Sequence, residues 1–174
     1  MGRPLVLTAL CLLIAGCGGG DGADVTTDVD ALVPSKRDYV VQADTICANT
    51  AQGIETRAEI TFDLGPNDFT VKPSGEVVFK PGRRPSSAEI ERFGAEVVVP
   101  AFREQLADLR ALTPPEGDEA AVAAVYDAAE RGTEALRADP SLFNDSDAVR
   151  RELAQARRLG RAYGFFDCGT YAAP

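Results

Sequence analysis

The sequence predicts an all-α protein, an antiparallel four-helix bundle with a short β-hairpin inserted between the first and second helices. Three observations carry that expectation. Four segments repeat apolar residues at every third or fourth position, and each is bounded by a capping or a breaking residue. The joints after the second and third segments are short, which makes consecutive helices antiparallel neighbours. One stretch, residues 62–85, loses the helical period and alternates around turn residues instead.

Ahead of the first helix, Arg3 precedes an almost unbroken apolar run from Pro4 to Ala15. That run suits the apolar region of a secretory signal and is too short for a spanning helix, which needs about 18–20 apolar residues. It ends in Leu13-Ile14-Ala15-Gly16-Cys17, which resembles the lipobox of bacterial lipoproteins. The resemblance implies that residues 1–16 are a signal peptide, that Cys17 receives a palmitate-bearing lipid through its thiol, and that cleavage makes Cys17 the N-terminus. The chain would then sit on the extracytoplasmic face of the cell membrane. Several acyl chains anchor far better than one. An ordinary signal peptide or a short anchor, with Cys17 incidental, is the alternative. Residues 17–35 read as the lipidated cysteine and a flexible tether: Gly18-Gly19-Gly20-Asp21-Gly22-Ala23-Asp24 has no periodicity. Asp21, Asp24, Asp28 and Asp30 do not match the calcium-loop spacing.

The domain proper is expected over residues 36–170. Ser35 is the N-cap of a first helix, 36–61, with Tyr39, Ala43, Ile46, Cys47, Thr50 and Ile54 on one face. Within the insert, Leu64-Gly65-Pro66-Asn67 is a turn, and Phe69–Lys72 and Glu76–Lys80 form a hairpin about Pro73-Ser74-Gly75. A lone hairpin is marginal, so an apolar face must rest on the helices. Ser86-Ser87-Ala88-Glu89 is a capping box for a second helix, 87–112. Its inward residues are Ile90, Phe93, Val97, Ala101, Leu106, Leu109 and Leu112, with a kink or split expected near Pro100. The third helix, 116–138, carries Val122, Val125, Ala129, Gly132 and Leu136, with Ala121, Ala128 and Ala135 alongside. The fourth, 146–164, turns Val149, Leu153, Ala156, Gly160 and Tyr163 inward. Arg150, Arg151, Arg157, Arg158 and Arg161 form its basic outer face, expected to pair with acids of the first three helices. Gly164 ends it, and Phe165 and Phe166 are expected to tuck toward the core.

Four cysteines are present. If Cys11 leaves with the signal and Cys17 takes the lipid, Cys47 and Cys168 remain as an even pair in an oxidising compartment. A Cys47–Cys168 disulfide closing nearly the whole domain is the expectation, and two reduced, buried cysteines are the alternative. Around these positions, Ala43-Asp44-Thr45-Ile46-Cys47-Ala48, then Pro100 with Leu109-Arg110-Ala111-Leu112-Thr113-Pro114-Pro115, then Ala162-Tyr163-Gly164-Phe165-Phe166-Asp167-Cys168-Gly169 resemble uncharacterised exported helical proteins of high-GC Gram-positive bacteria. That likeness implies a bundle tied by Cys47 and Cys168, with a longer 62–85 insert than the pattern requires. It implies no activity.

Composition narrows the function classes. The formal net charge is −9, which argues against nucleic acid as a partner. There is no histidine and no tryptophan. Absent histidine removes Ser–His–Asp triads, histidine metal sites and the usual neutral-pH proton shuttle. No metal and no cofactor are expected. Glu55 and Glu59 stand one turn apart on the first helix, and Glu89 and Glu96 lie on the second. A carboxylate-dependent enzyme is the weaker reading, because the known di-metal bundle also needs histidine. Lys72, Lys80, Arg83 and Arg84 make the insert locally basic and offer a partner surface. The expected partners are the membrane, through the N-terminal lipid, and a protein or small molecule. The favoured class is a non-enzymatic binding module, with a structural envelope protein as the alternative.

Overall fold

The computed structural model describes residues 34–65, 67–71 and 77–169. The expected signal, Cys17, nearly all of the tether, and Lys72 lie outside the described residues. Among those described, no helix is long and apolar enough to cross a membrane.

The Ser35 hydroxyl accepts the Asp38 N–H at 3.2 Å, and α1 follows over Lys36–Phe62. Tyr39, Ala43, Cys47 and Ile54 are buried along it, with Ile46 and Thr50 half-buried, as the spacing requires. Strands β1 (Phe69–Val71) and β2 (Val77–Phe79) pair antiparallel, Phe69 opposite Phe79.

Helix α2 (Ser87–Phe93) opens on the expected capping box: the Ser86 hydroxyl accepts the Glu89 N–H, and the Glu89 carboxylate accepts the Ser86 N–H at 2.8 Å. The expected break near Pro100 takes a specific form. A π-helical turn spans Gly94–Val98, and α3 (Val99–Ala111) begins with Pro100 in its first turn. Proline has no N–H to give to the preceding turn, and a widened turn just ahead of it absorbs the loss. The wide turn also shifts the helix phase. Buried positions step from Phe93 to Val98, then to Phe102, Leu106 and Leu109. Val97 and Ala101, expected inward, are only half-buried.

Helix α4 (Glu119–Ala138) starts later than expected, because Pro115 accepts the Asp118 N–H at 3.0 Å in a preceding turn. Its Val122, Val125, Ala129, Gly132 and Leu136 are all buried. The alanine strip beside them holds in part: Ala128 is buried, Ala135 half-buried and Ala121 exposed. Tyr126 and Thr133 widen the buried face on the other side.

The fourth segment is not one helix. A 3-10 turn at Pro140–Asn144 leads into α5 (Ser146–Glu152), and α6 (Ala154–Tyr163) follows a break at Leu153. Tertiary packing explains the break. A Cβ on Gly132 would meet the Glu152 carbonyl and the Leu153 side chain, each at 2.7 Å, so this backbone is seated directly on α4. Gly164, at φ 117°, ends α6, a conformation open to glycine at little cost.

Asp44 then fixes the closing turn, accepting the Phe166 N–H at 2.9 Å and the Cys168 N–H at 3.0 Å. Phe165 is buried, but Phe166 is 76% exposed, which corrects the expectation that both tuck inward. The turn that Asp44 holds places neighbouring side chains on opposite sides. Cys47 and Cys168 form the expected disulfide, with Cα atoms 5.2 Å apart across 121 residues of sequence. Packing joins α4 to both α3 and α6, and α1 to α3. Over the described residues the chain is thus mainly helical, with one two-stranded hairpin and one disulfide.

Candidate functional site

The distal half of α1 borders a cavity of about 820 Å³. Its walls come from α1, the hairpin, α2 with its π turn, α3, and the 3-10 turn running into α5. Of the eight phenylalanines in the chain, Phe62, Phe69, Phe79, Phe93, Phe102 and Phe143 line it. Phe62 and Phe93 pack with centroids 5.1 Å apart, and Phe69 and Phe79 at 6.3 Å. The hairpin thus presents its two aromatic residues to this space rather than to a sealed core. Volumes of about 300–1,000 Å³ with mostly apolar walls and few polar groups are typical of small-molecule sites.

The inner wall includes the disulfide. Buried Gln105 directs its side-chain amide N–H to Cys47 Sγ at 3.3 Å. Near the 3-10 turn, the Asn144 amide N–H donates to Glu91 at 2.8 Å, while its buried Oδ1 has no partner among the described residues.

Charge on the cavity wall is uneven. Acidic Glu55, Glu59, Asp145, Asp147 and Asp167 line it, against basic Arg84 and Arg150. Asp147 pairs with Arg150, and Asp145 pairs with Arg151 at 3.4 Å. Asp145 also caps α5 by accepting the Asp147 N–H at 2.8 Å, and that bond holds its carboxyl below the usual range. Glu55 and Glu59 lie one turn apart on α1, and their carboxylates make no hydrogen bond or ion pair with the described residues.

The other predicted residues disperse. Lys80 is exposed at the end of β2. Arg83 is exposed but engaged within the chain: it pairs with Asp68 at 2.9 Å and donates to the Asp63 carbonyl. Arg84 lines the cavity and is exposed. Glu89 is spent on the capping box, whose Ser86 hydroxyl holds its carboxyl low. Glu96 is exposed and off the cavity wall. The basic face of the fourth segment also needs correction. Arg150 and Arg151 pair with Asp147 and Asp145 at the start of α5, and Arg161 donates to the Gly169 carbonyl at 3.1 Å. Burial, then Arg161 and Arg150, press Arg157 below its ordinary range. The nearby helix start offered these arginines closer acids than the other helices did.

A second cluster marks the opposite end of α1. The Tyr39 and Tyr126 hydroxyls lie 2.6 Å apart, and Tyr163 donates to Asp118 at 2.9 Å. Lys36 lies 4.0 Å from the Tyr163 ring centroid and 3.6 Å from Asp118. These groups are packed against each other and Phe165, and form an aromatic seal rather than an open site.

Comparison of the chain with protein-family models, curated proteins and solved structures finds no match. The cavity had one sequence signal that periodicity misses: phenylalanines flank both the irregular insert and the proline-broken helix.

Proposed function

We propose that this chain is a lipoprotein of the extracytoplasmic face of the cell membrane, anchored through Cys17. Its helical domain acts as a non-enzymatic binding module for an apolar small molecule. The observation that carries the binding reading is the 820 Å³ cavity lined by six phenylalanines. Burying such a wall again, against a ligand, recovers free energy at about 25 cal/mol per Å² of apolar surface. The lipobox resemblance at Leu13–Cys17 supports the anchor. The packing of α4 between α3 and α6, with α1 on α3, supports an antiparallel four-helix bundle in which α2–α3 and α5–α6 each act as one helix.

Two measurements test the proposal. Cells fed a palmitate analogue should label the wild-type chain and not Cys17→Ala; an unlabelled wild type rejects the anchor. For binding, N-phenyl-1-naphthylamine, a neutral apolar fluorophore, should show saturable uptake by the full chain carrying Cys17→Ala in detergent-free buffer. Ala51→Trp places a bulky ring on an exposed position of the cavity wall and should reduce that uptake. Uptake that never saturates, or that ignores this substitution, sinks the binding reading.

A further inference from the structure

Taking the cavity as a binding site, as proposed above, we infer that its ligand is cationic: a hydrophobic amine or quaternary ammonium compound. Its apolar body would lie against the phenylalanines, and its charged end beside Glu55 and Glu59. The inference rests on how the charges along the wall are used. Asp145 and Asp147 are already neutralised by Arg151 and Arg150. Asp145 is committed further to capping α5. Glu55 and Glu59 are not neutralised. They stand at i and i+4 on α1, line the cavity together, and find no partner among the described residues.

Like charges one helical turn apart repel, and such pairs destabilise a helix. Glu59 is moreover half-buried, where an unpaired carboxylate is costlier than in open water. A cation between the two removes both penalties. The neighbouring Ile54, Ala58 and Phe62 are on the same wall, so a ligand held there by its charge has apolar surface beside it. A carboxylate ligand meets the opposite situation. Its sole unpaired counter-charge on the wall would be Arg84, which makes no ion pair with the described residues, set against two uncompensated glutamates lining the same cavity.

The test is displacement of N-phenyl-1-naphthylamine from the full chain carrying Cys17→Ala, by three probes of matched chain length below their aggregation concentrations. These are dodecyltrimethylammonium, dodecanol and dodecanoate. The ammonium compound should displace the fluorophore at concentrations roughly ten-fold or more below dodecanoate, the worth of one charge-assisted interaction. Dodecanol should fall between. In a Glu55→Gln/Glu59→Gln variant the preference for the ammonium compound over dodecanol, each measured against that variant's own fluorophore affinity, should disappear. Dodecanoate displacing as well as or better than the ammonium compound overturns the inference, as does an unchanged preference in the double variant. A preference for dodecanoate that Arg84→Gln abolishes would reassign the ligand as an anion. In each of these cases the fluorophore still binds, so the binding reading survives. If the fluorophore is not taken up at all, both fail.

Discussion

The ring of Phe143 fills the space where a side chain on Gly94 would stand: a Cβ there would lie 2.1 Å from the ring Cδ2. The 3-10 turn that carries Phe143 is thereby docked on the π turn that carries Gly94. Gly94→Ala forces one of them to move. Overpacking of this kind costs about 1–3 kcal/mol, more than the ~1 kcal/mol that alanine contributes over glycine inside a helix. The variant should lower the urea midpoint, and Phe143→Leu in the same chain should recover part of the loss. A Gly94→Ala protein as stable as wild type would show that the two turns are not in contact.

The phase shift made by the π turn has its own test. Val98 is 3% exposed, whereas Val97 is only half-buried. Val98→Ala should therefore cost roughly 1–2 kcal/mol, about two buried methylenes, and Val97→Ala clearly less. Equal losses in denaturant melts would point to an unbroken α-helix through Pro100.

The disulfide and Asp44 act at the same joint. Replacing both Cys47 and Cys168 by serine should cost roughly 2–5 kcal/mol, given the length of chain enclosed. Asp44→Ala removes the acceptor for two backbone N–H groups beside Cys168 and should cost about 1–3 kcal/mol. It should also slow re-formation of the disulfide after reduction, measured by trapping free thiols. Re-formation at the wild-type rate would limit Asp44 to stabilising the finished turn.

Alkaline pH should weaken the aromatic seal. Burial raises Tyr163, and the Asp118 carboxylate that accepts its hydroxyl raises it further. Burial also raises Tyr39, against a smaller opposing effect of the Tyr126 hydroxyl. Both phenols thus stay protonated in the folded chain at pH values where the unfolded chain loses them. Their contribution is fully present below about pH 10, the ordinary tyrosine value, and is lost as pH rises toward the raised folded values. Stability should fall above that point, and Tyr163→Phe should flatten the fall. Asp118→Asn should bring one phenolate transition to lower pH in a near-ultraviolet titration. A titration curve that Asp118→Asn leaves in place would refute the assigned cause.

Features governed by a few consecutive residues were legible in the sequence. Ser35, the Ser86–Glu89 box and Gly164 mark helix ends through local hydrogen bonding and backbone preference. The face of α4 follows directly from its spacing. What periodicity could not express are features set by contacts between distant segments. The π turn offsets every inward position from Val98 to Phe102, and its seat is Phe143, about 50 residues on. The break at Leu153 answers to Gly132 on another helix. Phe166 points outward because Asp44, far upstream, holds its amide. The cavity was least legible, since it is a space that four separate segments fail to fill. Glu55 and Glu59 were visible as a pair, but their lack of counter-charges depends on which acids the arginines chose.

Helix α1 has 27 residues, which at 1.5 Å per residue makes a rod of about 40 Å. Its first residues meet the closing turn near Asp44, and its last residues, from Glu55 to Phe62, wall the cavity. The rod therefore carries part of the aromatic seal at one end and the distal cavity wall at the other. A longer or shorter α1 would shift that distal wall by about 5.4 Å per helical turn, so this single helix sets how far the cavity reaches from the seal.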